Sequence, residues 1–372
     1  MWGGKVTGQA GRYNIGFQHI QDQPDDGRSF TVARISRNMG SQSYIGAIGT
    51  LGNALSVSDN LLLGLDTRLA TAKFKGNKIM AFTGYVMKSH TEGLQGKDLS
   101  WGAEINYPND FFKFRLGHQE IGKNYRAGIG FVPRLGIKEN YAEMSLGPRP
   151  DKWGILQINV KAEGDFITSY DNSLLTRDIQ LTPFQIEMIS GDGFKFNTSS
   201  QFEFLDKAFD IFERDSISIP AGKYDFWKHK LQFSSARRRR VWVQPEYSWG
   251  SFYNGQRQEF EFAFGYKINT PIFIGMEYQH NWISLPAGDF DTEVYRVNAN
   301  IFFSPDISLT NFIQYDNVSE KMGWQTRFRW IIKPGNEILF VWNSTMYELP
   351  EETRFAVQQS STRLKVNYNI RI

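Results

Sequence analysis

Residues 259–268 read EFEFAFGYKI, and in this stretch a large apolar side chain occupies every second position. The positions between them hold glutamate, alanine, glycine and lysine. A period of two is that of a β-strand, whose successive side chains point to opposite faces of a sheet. The stretch therefore predicts a strand with one aromatic face and one face that is charged or small.

The same alternation recurs along the whole chain, and turn signals such as Asn254-Gly255 and Pro334-Gly335 separate the runs. Five further runs are residues 99–107, 156–163, 272–282, 295–303 and 324–332. Counting such runs predicts about 20 to 22 strands. Many runs reach ~10 to 14 residues, which is longer than most strands of soluble sheets and sufficient to cross a membrane.

Composition excludes several classes of protein. The 372 residues include no cysteine, which excludes disulfides, thiolate metal sites and cysteine nucleophiles. A net charge of +3 argues against a nucleic-acid partner. The mean hydropathy of −0.43 and the absence of a long apolar run exclude transmembrane helices. A transmembrane β-barrel is still allowed, because only alternate residues of its strands face lipid.

Both ends of the chain and one internal segment bear on the fold. The first residues, MWGGKVTGQ, lack the basic and apolar regions of a signal peptide. From Leu364 to Ile372 the period of two runs to the last residue, as expected of a strand that closes a barrel. Residues 203–214 have the best helical spacing, and the alternative interpretation is the end of a strand followed by a loop.

The face opposite the aromatic residues favours a barrel over a soluble sandwich. It mixes charges of both signs with Gly, Asn, Gln and Ser, which suits a wet lumen where opposite charges pair. Such charges can tune a pore or bind a plug, and their plainer role is cross-strand pairing worth well under ~1 kcal/mol each. The predicted lumen-facing residues are Glu104, Lys161, Glu163, Glu259, Glu261, Glu277, Arg296, Arg327 and Arg329.

Two further groups of residues predict contact with a membrane interface. Aromatic side chains near strand ends predict the girdles of a barrel. They are Trp101, Tyr107, Trp242, Trp249, Tyr278, Trp282, Trp324 and Trp330. The run Arg237, Arg238, Arg239 and Arg240 precedes Val-Trp-Val and predicts a contact with anionic lipid head groups, with a solvated turn as the alternative.

The sequence offers no catalytic motif. It has no G-x-S-x-G elbow and no phosphate-binding loop, and none of its five histidines has a partner at a metal-ligand spacing. We therefore predict no catalytic, cofactor-binding or metal-binding residues and no cofactor.

Six segments resemble one bacterial family. They are Gly3–Gly16 (GGKVTGQAGRYNIG), Gly128–Pro150, Ile219–Phe226 (IPAGKYDF), Gly250–Phe260 (GSFYNGQRQEF), Ile283–Arg296 (ISLPAGDFDTEVYR) and Ser308–Asn343. Together they look like the large C-terminal barrel of an uncharacterised Bacteroidota-type outer-membrane family, in which a carbohydrate-binding-module family 9-like domain precedes the barrel. The resemblance covers nearly the whole chain. It implies an outer-membrane location and a link to polysaccharide use, and it supplies no site residues.

These observations lead to one fold prediction and three functional hypotheses. Residues 1–372 are expected to form a single all-β domain, a large antiparallel up-and-down transmembrane β-barrel without the preceding sugar-binding domain. The leading hypothesis is an outer-membrane pore or platform linked to carbohydrate uptake or processing, with lipid and a glycan or sugar-binding domain as partners. The alternatives are an outer-membrane hydrolase of glycans or lipids and a soluble all-β carbohydrate-binding protein. The segments 119–138 and 347–360 are predicted to be extracellular.

Overall fold

The computed structural model describes residues 2–22, 27–54, 59–212, 217–269, 271–349 and 354–369. These residues form strands and turns, and none of them belongs to a helix that would be long and apolar enough to span a membrane. The strands are β1 (Trp2–Ala10), β2 (Tyr13–Gln21), β3 (Ser29–Met39), β4 (Ser43–Leu51), β5 (Asn60–Phe74), β6 (Lys78–Thr91), β7 (Leu99–Pro108), β8 (Phe112–Ile121), β9 (Ile137–Leu146), β10 (Ile155–Ser169), β11 (Leu174–Met188), β12 (Gly193–Leu205), β13 (Phe209–Phe212), β14 (Ile217–Ile219), β15 (Gly222–Ser234), β16 (Val241–Phe252), β17 (Gly255–Asn269), β18 (Ile272–Leu285), β19 (Gly288–Phe302), β20 (Ile307–Asp316), β21 (Lys321–Lys333), β22 (Asn336–Leu349) and β23 (Arg354–Asn367).

The strands form an up-and-down antiparallel arrangement, which confirms the predicted all-β class. One sheet holds 21 strands, a number within the predicted range, and β13 pairs with β14 in a separate hairpin. Among the described residues β1 pairs with β2 and β23 pairs with β22, and no register joins β1 to β23. The closed barrel therefore stays a prediction.

Residues 203–212 contain no helix. They end β12 and form β13, which agrees with the alternative of a strand followed by a loop. Residues 213 and 214 of that predicted segment, and residues 370–372 of the predicted last strand, lie outside the described part of the chain.

The chain divides into two compact units, which we describe separately. Unit 1 comprises residues 1–148, 160–181 and 201–204, and unit 2 comprises residues 149–159, 182–200 and 205–372. The single domain that the sequence predicts stays a prediction.

Burial along the strands is the reverse of that in a soluble protein. On β5 the side chains of Leu63 and Leu65 are 58% and 55% exposed, whereas Asn60 is 2% exposed. On β17 Glu259 is 4% exposed. The apolar face of the sheet is thus the exposed one in both units, and the polar face holds the buried side chains.

Most of the buried apolar residues form two small clusters, each of which lies beneath a connection between strands. In unit 1, Tyr125 from the connection after β8 packs with Leu62, Ile121 and Ile137. In unit 2 the β13–β14 hairpin packs on the C-terminal end of β18, through Phe212, Ile217 and Ile219 against Ile283 and Leu285. Leu62 and Ile283 belong to the polar face by register, so each connection folds over the polar face of its own unit.

Candidate lumen surface

In unit 1 the polar face of β8, β9, β10 and β11 forms a recess of about 400 Å³, which we call the acidic recess. Its charged residues are Arg115, Glu139, Glu143, Glu163, Asp165 and Asp178. The strand register brings these residues together, because Arg115 lies opposite Glu143, and Glu143 lies opposite Glu163 on the next strand. Five carboxylates face the Arg115 guanidinium and the nearby Lys161 ammonium, so the recess presents an excess of negative charge.

The three predicted lumen residues of unit 1 belong to one network around this recess. Lys161 Nζ lies 2.7 Å from a Glu163 carboxylate oxygen and 3.3 Å from one of Glu143. The Tyr141 hydroxyl donates a short hydrogen bond to Glu104. The structure therefore brings Glu104, Lys161 and Glu163 to one face, as the alternation predicts.

An ion pair that the sequence analysis missed spans three strands of unit 1. Arg34 on β3 donates two hydrogen bonds of 2.9 and 2.8 Å to Asp66 on β5. Gly46 lies between them on β4, where a Cβ atom would come within 2.9 Å of Asp66 Oδ1. The absent side chain at Gly46 leaves the space in which the pair meets. The feature of the sequence that could have predicted this ion pair is a glycine on the polar face of a strand whose two neighbours carry opposite charges.

In unit 2 the most buried charge is Glu259. Its carboxylate lies 3.0 Å from Lys228 Nζ and 2.9 Å from Arg257 Nη2. Ser248 and Gln279 donate further hydrogen bonds of 3.0 and 2.8 Å. A carboxylate taken out of water needs this number of donors to stay ionised. Glu259 therefore fixes four neighbouring side chains on the polar face.

The other predicted lumen residues of unit 2 are less tightly held. Glu261 lies next to Glu259 on the same face and opposite Glu246, which forms a short ion pair with Lys230. Glu277 and Arg296 are 3.7 Å apart. Arg329 lies 2.8 Å from Glu337, and Arg327 is exposed. These pairs agree with the plainer interpretation of cross-strand contacts.

The predicted interface aromatics lie at different depths. Trp101, Tyr107, Trp249, Trp282, Trp324 and Trp330 are within four residues of a strand end. Tyr278 lies in the middle of β18, where its hydroxyl donates to Glu293 at 3.0 Å.

Trp242 lies near a strand end but on the polar face. It shares that face of β16 with Glu246 and Ser248, and it lies opposite Gly265 on β17. Trp242 and Trp249 are separated by an odd number of positions, so a regular strand must place them on opposite faces. The sequence contained this signal, and the prediction that groups the two tryptophans in one girdle did not use it.

The four arginines of the predicted head-group site each have a partner within the protein. Arg239 forms a two-fold contact with Asp192 at 2.5 and 2.6 Å. Arg238 and Arg240 donate to the backbone carbonyls of Ser190 and Ile268 at 2.7 and 3.0 Å. Arg237 donates to Gln244 at 3.2 Å. Hydrogen bonds from Arg239 and Ser190 hold the pKa of the half-buried Asp192 carboxyl well below its usual range. This geometry supports the alternative of a structural turn, while lipid contact stays a prediction.

A cluster of His280, Asp291 and Glu293 lies on the aromatic face of β18 and β19. His280 lies opposite Glu293, and Trp282 lies opposite Asp291. The sequence analysis found no partner for this histidine, because the acids follow it by 11 and 13 positions. The short turn between β18 and β19 brings Asp291 and Glu293 back beside His280.

No family model matches this chain, and a search of curated proteins finds no match. The functional proposal below therefore depends on the residues just described.

Proposed function

We propose that this chain is an integral outer-membrane β-barrel whose polar face lines a passage for hydrophilic solutes. The observation that carries the proposal is the reversed burial of its strands, with leucine exposed and glutamate buried. Apolar surface exposed along a whole sheet is unfavourable in water and favourable against lipid hydrocarbon. Strands of 15 residues, such as β5, β10 and β17, are long enough to cross a bilayer.

The charges of the polar face support a passage rather than a dry core. The acidic recess holds carboxylates that outnumber their cationic partners, an arrangement that needs water or solute cations to be stable. A surplus of negative charge along a lumen attracts cations and repels anions. We therefore propose cation preference as the signature of this passage.

The lengths of the connections in unit 1 support an orientation. The connections that follow β5 and β7 are short turns, at residues 75–77 and 109–111, whereas the one that follows β8 spans residues 122–136. Outer-membrane barrels have short periplasmic turns and longer extracellular loops. We place residues 122–136 outside the cell, in line with the prediction for the segment 119–138.

A carbohydrate is our proposed solute class. Amide, carboxylate and tyrosine side chains line the second recess of unit 1, among them Gln119, Glu104, Tyr85 and Tyr141. These groups form hydrogen bonds with hydroxyl groups, and aromatic rings pack against the apolar faces of sugars. The link to polysaccharide use rests otherwise on the family resemblance.

Purified protein in planar bilayers tests the proposal. We expect discrete, cation-preferring conductance steps, with a preference that falls in the variant Glu139→Gln/Glu163→Gln/Asp165→Asn. The matched control is Glu120→Gln, because Glu120 lies opposite Trp101 on the other face of β8. A protein that stays monomeric in solution without detergent would exclude the membrane assignment. A detergent-dependent protein without conductance would exclude the passage and leave a platform.

A further inference from the structure

We propose that His280 and Asp291 bind a divalent transition-metal ion of the Zn²⁺ type, and that Glu293 positions His280 for this role. The proposal concerns the aromatic face of unit 2. It depends neither on closure of the sheet nor on a solute in the lumen.

The position of the hydrogen on the His280 imidazole determines which ring nitrogen can bind a metal ion. His280 Nδ1 lies 3.2 Å from Glu293 Oε1 and 2.9 Å from the Tyr278 hydroxyl. That hydroxyl donates its own hydrogen to Glu293, at 3.0 Å. Both neighbours of Nδ1 therefore act as acceptors, and the hydrogen of the neutral ring belongs on Nδ1. The lone pair of the ring is then on Nε2.

Nε2 faces the second carboxylate. It is buried and has no hydrogen-bond partner among the described residues, although Asp291 Oδ2 is only 3.3 Å away. Two lone-pair atoms at this separation repel each other unless a proton or a metal ion lies between them. With Zn–N and Zn–O bonds near 2.1 Å, the edge of a tetrahedral site is about 3.4 Å. The observed separation fits that edge.

Glu293 has the contacts of a residue that orients a metal ligand. One carboxylate oxygen accepts from Tyr278, and the other accepts from Tyr295 at 3.0 Å. Histidine ligands commonly donate their second N–H to such a fixed carboxylate, which sets the tautomer and the ring orientation. The ring of His280 is also stacked on Trp282, with 4.0 Å between the centroids. The ligand is thus held in place before an ion arrives.

The site lies next to the turn between β18 and β19, because Asp291 is only three residues after the start of β19. The Asp291 side chain is 54% exposed, so at this strand end ions have access and water can complete the coordination. An imidazole ligand favours Zn²⁺ and similar ions over Mg²⁺ and Ca²⁺, which prefer oxygen ligands.

The experiment is a calorimetric titration of the full chain in detergent micelles with ZnCl₂, using protein that carries no histidine tag. We expect one equivalent of saturable binding, which His280→Ala and Asp291→Asn abolish. The matched control is His229→Ala, because His229 also contacts a tryptophan, Trp249, and bonds to Thr198 instead of an acid. MgCl₂ is expected to give no saturable heat.

The role of Glu293 has its own readout. We expect Glu293→Gln to weaken Zn²⁺ binding by about 10- to 100-fold with the urea unfolding midpoint unchanged. A purely structural residue would shift the midpoint and leave the affinity alone. Absence of saturable heat in the wild-type protein at millimolar Zn²⁺ would overturn the proposal, as would unchanged binding in Asp291→Asn. Asp291→Asn carries the test if His280→Ala does not fold, because Asp291 is largely exposed.

Discussion

The indole of Trp242 fills the space above Gly265 on the neighbouring strand, where a Cβ atom would lie 2.1 Å from Trp242 Nε1. Arg237 lies over the same ring, 4.8 Å from its centroid. The glycine thus allows a tryptophan to lie against the polar face of β17. The contact joins the start of β16 to the end of β17.

Gly265→Ala is expected to lower the free energy of unfolding by about 1–3 kcal/mol, because the added methyl group must displace the indole. Urea unfolding in detergent micelles, followed by tryptophan fluorescence, measures the change. Gly323→Ala is the matched control, since a Cβ atom there has no neighbour within 4 Å. In a Trp242→Ala background the cost of Gly265→Ala should disappear, and an unchanged cost would show that the indole is not its cause.

The buried carboxylate of Glu259 gives a second prediction. Glu259→Ala leaves Lys228 and Arg257 without their common partner, and we expect a loss of about 3 kcal/mol of unfolding free energy. Glu277→Ala removes an exposed partner of Arg296 and is expected to cost less than about 1 kcal/mol. Equal losses of unfolding free energy in Glu259→Ala and Glu277→Ala would contradict the burial of Glu259. Urea midpoints of both variants provide the comparison.

The pair of Asp192 and Arg239 predicts a pH dependence. The folded-state pKa of Asp192 is lowered below its usual value of 3.8, so the pair stabilises the fold above that value and loses its effect as pH falls toward the folded pKa. Asp192→Asn should therefore unfold at lower urea than the wild type at pH 7, and the difference should shrink below about pH 4. In an Arg239→Ala background, which removes the ionic partner, the same substitution should make a smaller difference at pH 7. If the difference in urea midpoint between the wild type and Asp192→Asn did not change with pH, the stabilisation would not come from the ion pair.

Asn60 holds the connection of residues 122–136 over the polar face of unit 1. Its side-chain amide donates to the Arg126 carbonyl at 3.1 Å, and its Oδ1 accepts from the Gly128 N–H at 3.1 Å. The loss of two hydrogen bonds, at about 1 kcal/mol each, should increase roughly 30-fold the population of molecules in which this connection is detached from the polar face. Asn60→Ala should raise the rate of tryptic cleavage within residues 122–136 accordingly.

The control for this experiment is Asn109→Ala. Asn109 makes two comparable hydrogen bonds to the backbone of Ile79, in a different connection. Its loss should leave cleavage within residues 122–136 unchanged. An equal increase in both variants would indicate general loosening of the sheet rather than release of this connection.

Particular residues show how far the sequence alone reaches. The alternation in residues 259–268 correctly placed Glu259 and Glu261 on one face, because the faces of a strand follow from counting by two. The same rule applied to Trp242 and Trp249 would have separated them. The partners of Glu259 were not predictable, since Lys228 reaches it from β15 across β16 and Gln279 reaches it from the adjacent β18, and the register of these strands depends on turns and bulges.

The sequence by itself determined that this protein is all-β, with long antiparallel strands that have one apolar and one charged face. Those properties depend on the period of side-chain directions, which is local. Only the tertiary structure decided that Arg34 reaches Asp66 across Gly46, that His280 meets Asp291 and Glu293, and that residues 122–136 fold over the polar face. Each of these contacts joins residues on different strands or connections, and the register that brings them together is a property of the assembled sheet.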